Sequence, residues 1–209
     1  MNVIIFGTED ISLLAKFYLE KDSVHKPKAF CVDASFLKDS YIEGIPVIAF
    51  EEVENCFSNE NHNFFCPLYD NKLRELKSKE IKDKNYNLIS YVSSKATLWS
   101  SVGENCFIME DNTIQPYVSI GNNIIMWSGN HIGHHSVIKD NVFFSSHVVL
   151  SGHCNVESYS WFGVNCTIRD HVDIAEGSFI AMSSMVTKKT KAYKKYMGVP
   201  AREYGDVAQ

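Results

Sequence analysis

The residues best suited to chemistry gather at Asn130-His131-Ile132-Gly133-His134-His135-Ser136, with three histidines inside five residues. An imidazole with a pKa of about 6.5 can take a proton from an amine or hydroxyl near neutral pH. The cluster therefore offers a candidate general base. Residue types alone leave open whether His131, His134 or His135 is the base.

These histidines lie inside a repeat. An apolar residue returns at every sixth position from Ala96 to Val186, through Ile120, Met126, Ile132, Ile138 and Phe144. Neither an α-helix nor an ordinary strand has that period, and a fixed longer period marks stacked repeats. A second column, four residues after the first, is small or β-branched in most turns, with Cys106, Val142, Cys154 and Cys166 among its members. One bulky and one compact inward position per six residues describe a narrow prism. Three short faces make a coil of about 18 residues, and about five coils of parallel β-helix occupy 91–187. Gly103, Gly121, Gly133 and Gly163 follow the bulky position directly, where a corner favours a residue without Cβ.

Residues 18 apart should then stand about 4.8 Å apart, one above another. His135, His153 and His171 have that spacing and form a ladder on one edge. Zinc needs ligands converging on one point at about 2.0–2.1 Å, whereas ladder members point in parallel, so no metal is expected. Trp99, Trp127 and Trp161 fall at outward or corner positions. Large outward aromatics suggest covered surface, and Trp127 and Asn130, near the histidines, are candidates to contact a sugar.

Ahead of the repeat, 1–90 reads as an α/β Rossmann-like half-fold. Val3-Ile4-Ile5-Phe6 is a buried strand running into Gly7-Thr8. A helix follows over 10–21, capped by Asp10, with Ile11, Leu14, Phe17 and Tyr18 on one face. Lys28 to Asp33 is a second strand ending in an acid. Gly7, Thr8 and Asp33 are the candidate nucleotide contacts, because a glycine turn can meet phosphate and an acid after the second strand can meet a ribose. Only one glycine of the three in GxGxxG is present, and Glu9 and Asp10 would repel a pyrophosphate, which disfavours an NAD site. Further on, the sequence predicts an extended segment over 44–48, a short helix over 50–56 and a strand over 64–66. Asp70 should cap a helix bearing Leu73 and Leu76 inward and Lys72, Lys77, Lys79 and Lys82 toward solvent. A last strand runs over 87–92, with no Pro- or Gly-rich linker after it.

Beyond Val186 the period ends and a basic extension, 188–209, carries Lys188 and Lys189 and then Gly198-Val199-Pro200-Ala201-Arg202. A basic run in a chain of net charge −5 can meet a phosphorylated ligand at the end of the coil. The acidic balance argues against nucleic acid as partner. The opening MNVIIFGTED has no basic leader, and no apolar run approaches a bilayer span, so a soluble cytoplasmic protein is expected. The six cysteines show no CxxC spacing and are read as structural thiols.

Six-residue repeats closing on G-x-P-A-[KR], behind an α/β domain, resemble the hexapeptide-repeat sugar acetyltransferases. That group includes sialic acid O-acetyltransferases and bacillosamine-precursor and perosamine N-acetyltransferases. The resemblance implies a left-handed β-helix and a homotrimer with active sites at subunit clefts. It implies acetyl-CoA lying along the prism, against Ser146, Gly152, Val164, Lys188, Lys189, Pro200 and Arg202, and a nucleotide-linked amino sugar (UDP, dTDP or GDP) held by the N-terminal domain. It places the catalytic base at His134, before Val137-Ile138. The family's Asp or Glu after that histidine is replaced by His135. The activity implied is N-acetylation of the sugar amine, for bacterial surface glycans such as lipopolysaccharide O-antigen. The alternatives are O-acetylation of a sugar hydroxyl, as on sialic acid, a trimeric zinc hydratase, or a non-catalytic scaffold.

Overall fold

A computed structural model describes residues 1–207. The chain divides into two compact units, Met1–Tyr91 and Val92–Gln209.

The first unit is built on a five-stranded sheet. β1 (Asn2–Phe6) is an interior strand with Val3, Ile4 and Ile5 wholly buried, as a strand covered on both faces requires. β2 (Lys26–Val32) pairs with it in parallel. β3 (Tyr41–Ile42) forms an antiparallel edge on β4 (Ile45–Ala49), which lies parallel to β2. β5 (His62–Phe65) lies parallel on the other side of β1. α1 (Asp10–Asp22) connects β1 to β2, α2 (Val53–Cys56) follows a 3-10 turn, and α3 (Asn71–Asp83) follows β5.

Both long helices bury faces other than those the apolar pattern predicts. Glu9, extended and without a side-chain cap, precedes α1, so Asp10 is its first residue and not its cap. The buried side of α1 is Ile11, Ser12, Ala15 and Leu19, and Phe17 faces out. Ser12 is turned inward because its hydroxyl donates to Phe6 O at 3.4 Å and lies under Gly7. In α3, Asp70 caps Leu73 N at 2.8 Å as expected. Its buried side, however, is Arg74, Lys77, Ser78 and Ile81, whereas Leu73 and Leu76 remain 43% and 51% exposed. Two cations displaced two leucines because each found partners. The expected final strand is reduced to Tyr91–Val92, with Leu88 making a single bridge to Phe64.

The second unit is a ladder of two-residue strands paired in parallel at a spacing of 18 through most of its length, for example Ile125↔Phe143 and His131↔Val149, with the early rung of Thr97↔Thr113 and Leu98↔Ile114 at 16. The second residue of each pair points in: Ile108, Met126, Phe144, Phe162 and Ile180 stack on one wall, Ile114, Ile132, Leu150 and Ile168 on another. Phe144 and Phe162 lie face to face at 4.6 Å. The compact column closes the corners of the same core through Cys106, Val142, Val148, Cys154 and Cys166. Its polar members are satisfied internally: Asn112 donates to Met109 O and Trp127 O, both at 2.9 Å, and Ser136 Oγ accepts from Cys154 N at 3.1 Å.

The turns explain a further period of six. Asn105, Asp111, Tyr117, Asn123, Gly129, His135, Asn141, His147, His153, Tyr159, Asn165, His171, Gly177 and Ser183 all have φ between 54° and 78°. Asn, Asp, His and Gly tolerate that left-handed conformation best. Gly133 and Gly163 are not among them, and their role is steric. A Cβ on Gly133 would lie 2.5 Å from Gly152 N, and one on Gly163 2.5 Å from Met182 N, both backbone atoms of the next coil.

The ladder does not end at Val186. Lys195 and Tyr196 pair with Phe179 and Ile180, and Tyr196 joins the core. This rung returns after 16 residues instead of 18, which hides it from the period. A strand over Lys194–Gly198 then turns back as a hairpin with one over Ala201–Asp206. The six cysteines form no disulfide, and burial pushes the Cys66 and Cys166 thiols up to about 12. No helix among the described residues is long and apolar enough to cross a membrane.

Candidate functional site

His134 stands exposed at a corner of the second unit. Its backbone N–H donates to Gln115 Oε1 at 2.9 Å and its carbonyl accepts from His153 N at 2.9 Å, so the main chain is tied to the coils on both sides. The imidazole leans over Gly152, where a Cβ would come within 2.9 Å of His134 Cε1 and 3.1 Å of Nε2. Gly152 therefore gives the ring its place. His134 Nδ1 lies 2.9 Å from His135 Nδ1, a hydrogen bond that leaves Nε2 as the other functional nitrogen.

His135 belongs to a column of rings, Tyr117, His135, His153 and His171, with centroids 4.7, 4.9 and 4.7 Å apart. The histidine ladder is nearly parallel, at 13° and 4° between planes. His134 stands at 90° to both His135 and His153, and one nitrogen from each of these three lies within 4.8 Å of the others. Desolvation, and then the charge of His171, His135 and His134, holds His153 below the usual histidine range. His131 sits on a flat face, half-buried and outward on its strand.

Asn130 is buried in the prism. Its Oδ1 accepts from Val148 N at 2.7 Å and its Nδ2 donates to Trp127 O, so its carboxamide serves the core and cannot meet a sugar as expected from sequence. Trp127 is half-buried. Ser146 and Val164 share another edge, where their carbonyls accept from Asn165 N at 3.1 Å and Ser183 N at 2.8 Å. Lys188, Lys189 and Arg202 line one hollow of about 520 Å³ beside Tyr196 and Glu203, while Pro200 lies in the hairpin turn. Much of the basic run is internally paired: Lys189 with Asp173 at 3.4 Å, Lys191 with Glu203 at 3.0 Å, and Lys194 with Asp206.

The first unit has a pocket of about 360 Å³ at the ends of β1 and β2. Phe6, Val32, Ile42, Val47, Leu68 and Leu73 give it an apolar lining, and Gly7, Thr8, Glu9, Asp33, Lys38, Asp39 and Lys77 give it polar groups. Gly7 has φ +103° and packs on Ser12, so only glycine suits the turn. The pocket gathers Gly7, Thr8 and Asp33. It also contains Lys77, which the sequence placed on a solvated face. Its ammonium donates to Asp33 at 2.7 Å and Glu80 at 2.8 Å, and sits 5.4 Å over the Phe6 ring. Burial alone would lower the Lys77 pKa, but those two carboxylates hold it above the usual lysine range. Arg74 fixes the neighbouring loop through Leu68 O and Tyr69 O. A buried pair broken from one side costs roughly 3–5 kcal/mol. Asp33 keeps 25% of its side chain exposed, so Lys77→Met should cost the first unit about 2–3 kcal/mol by urea denaturation.

The fold is an α/β unit followed by a left-handed parallel β-helix, the architecture of sugar acetyltransferases of known structure. One such structure is a histidine-substituted perosamine N-acetyltransferase from Caulobacter crescentus in complex with CoA and GDP-perosamine (20% identity, 99% of this chain and 98% of that one, TM-score 0.89). Another is WeeI from Acinetobacter baumannii AYE (18% identity, 98% and 100% covered, TM-score 0.85). A third is the acetyltransferase domain of PglB from Neisseria gonorrhoeae FA1090 in complex with acetyl coenzyme A (15% identity, 97% and 98% covered, TM-score 0.83). No family model and no curated protein sequence matches the chain.

Proposed function

We propose that this protein is an acetyl-CoA-dependent N-acetyltransferase acting on the amine of a nucleotide-linked amino-deoxy sugar, with His134 as general base. The reading includes a homotrimer working in bacterial surface glycan synthesis. The observation that carries it is the exposed imidazole of His134, seated over Gly152 with Nδ1 bonded to His135, in a fold shared along its whole length with a perosamine N-acetyltransferase solved with CoA and GDP-perosamine.

The sugar amine attacks the thioester carbonyl, a C–N bond forms and the C–S bond breaks. His134 Nε2 takes the proton the amine loses and returns it to the departing CoA thiolate. A neutral histidine at 135 can do what the family's carboxylate does, by accepting the Nδ1 proton of His134 and fixing its tautomer. The pantetheine arm runs along the edge of Ser146 and Val164, and Lys188 and Arg202 receive CoA phosphates. The first unit's pocket holds the nucleotide: Gly7 and Thr8 approach phosphate, and the apolar lining takes the base. Asp33, already paired with Lys77, offers its remaining carboxylate oxygen to the ribose.

The test is acetyl transfer from acetyl-CoA across UDP-, dTDP- and GDP-linked amino sugars, reading free CoA thiol and the acetylated product. One amino sugar should gain a single acetyl group and its N-acetylated form should be inert. Transfer to a hydroxyl of the N-blocked sugar would replace this reading with O-acetylation. No transfer to any, with no shift in melting temperature from CoA or nucleotide sugar, would overturn it.

A further inference from the structure

We propose that His134, His135 and His153 form a binding site for a divalent transition metal such as zinc, and that filling it silences acetyl transfer. The second half rests on the reading of His134 as the base.

Three imidazoles and no carboxylate make up the cluster, and one nitrogen from each lies within 4.8 Å of the other two. A tetrahedral zinc with bonds of about 2.05 Å separates its nitrogens by about 3.3 Å. The 2.9 Å between the Nδ1 atoms of His134 and His135 and the 4.8 Å limit bracket that separation. All three side chains are exposed, so their rings can make the remaining adjustment while the backbone stays fixed. The perpendicular ring of His134 supplies convergence that the ladder lacks. His171, parallel to His153 at 4.7 Å, points alongside and takes no part. A fourth position faces solvent, and an all-imidazole set selects zinc, copper, nickel or cobalt over magnesium or calcium.

The backbone does not demand these imidazoles. Corner positions equivalent to His135 and His153 are filled elsewhere by Asn123, Asn141 and Asn165 in the same left-handed conformation. Histidines on successive rungs of one corner, with a third beside them, are thus an addition to what the turn needs.

A neutral histidine carries one ring proton. With a metal on Nδ1 of His134, that proton resides on Nε2, and the nitrogen that should accept from the amine is already occupied. The His134–His135 hydrogen bond is replaced by two coordinate bonds, with a change of tautomer and no net loss of protons.

The experiment titrates zinc into the metal-free full-length protein by calorimetry and cobalt(II) by visible absorption, with magnesium as control. One zinc per chain at micromolar Kd or tighter, a tetrahedral cobalt spectrum and no magnesium binding are expected. Zinc should inhibit acetyl transfer over the same range, with recovery on chelation. His153→Asn, which suits the left-handed corner, should keep its zinc-free turnover, bind zinc at least tenfold more weakly and resist inhibition in proportion. Absence of stoichiometric binding, or unchanged affinity in His153→Asn, overturns the site. Tight binding without inhibition overturns its silencing role. The calorimetry stands even if no acetyl acceptor is found, so failure of the enzymatic reading and failure of the metal site are told apart.

Discussion

His134→Ala is expected to lower acetyl transfer by roughly 10² to 10⁴-fold, the usual contribution of a positioned general base, while melting temperature changes little. The side chain is exposed and packs on no core residue; its loss removes a hydrogen bond to His135 and little else. A second substitution reads placement in place of chemistry. Gly152→Ala keeps the imidazole but sets a methyl group within 2.9 Å of Cε1, so the ring must swing away. Displacement of about 1 Å at a reacting atom can cost on the order of 10²-fold, so at least a tenfold fall in kcat is expected. Full turnover of a folded His134→Ala protein would remove this residue from the mechanism, and His131, half-buried on its strand, would be the base to test next.

Phe162→Ala is expected to have the largest effect on stability. Its ring is wholly buried at the middle of the prism, 4.6 Å from Phe144 in parallel stacking. Truncating a buried phenylalanine costs about 3–5 kcal/mol through lost transfer energy and the cavity left behind. In a stacked repeat each coil contacts only its neighbours, so a cavity in the middle uncouples the coils on either side. Urea denaturation should show a lower midpoint and a reduced m-value, because the transition splits. A loss below about 1 kcal/mol would mean that the coils relax into the space, contrary to the rigid packing that paired strands impose.

The β-helix was legible because its causes are local and repeat. Each coil needs a bulky and a compact residue at fixed offsets, so Ile132, Phe144 and Ile168 announce the prism before any coordinate does. The left-handed corners are equally written in Asn123, Asn141 and Asn165, whose polarity keeps them outside the apolar period. The histidine ladder followed from 18-residue spacing alone. Its convergence with His134 did not, because the angle between neighbouring rings depends on side-chain torsions that spacing does not carry.

In the first unit the reverse holds. Strand order, the inward turn of Ser12 and the exposure of Leu73 and Leu76 come from contacts between residues far apart in sequence. Lys77 shows the reason most plainly: its partner Asp33 lies 44 residues away, and only once β2 and α3 are placed does a charge inside become cheaper than a leucine there. Tyr196 was missed for a related cause, a rung shortened from 18 residues to 16 that still closes the hydrogen-bonded ladder. The sequence by itself determined the repeating coil and the column of rings on its edge, because periodic burial is a one-dimensional property. The tertiary structure decided the pocket's ion pair, the seat of His134 over Gly152 and the fate of Asn130, because each depends on which groups satisfy one another at distances the chain order does not encode.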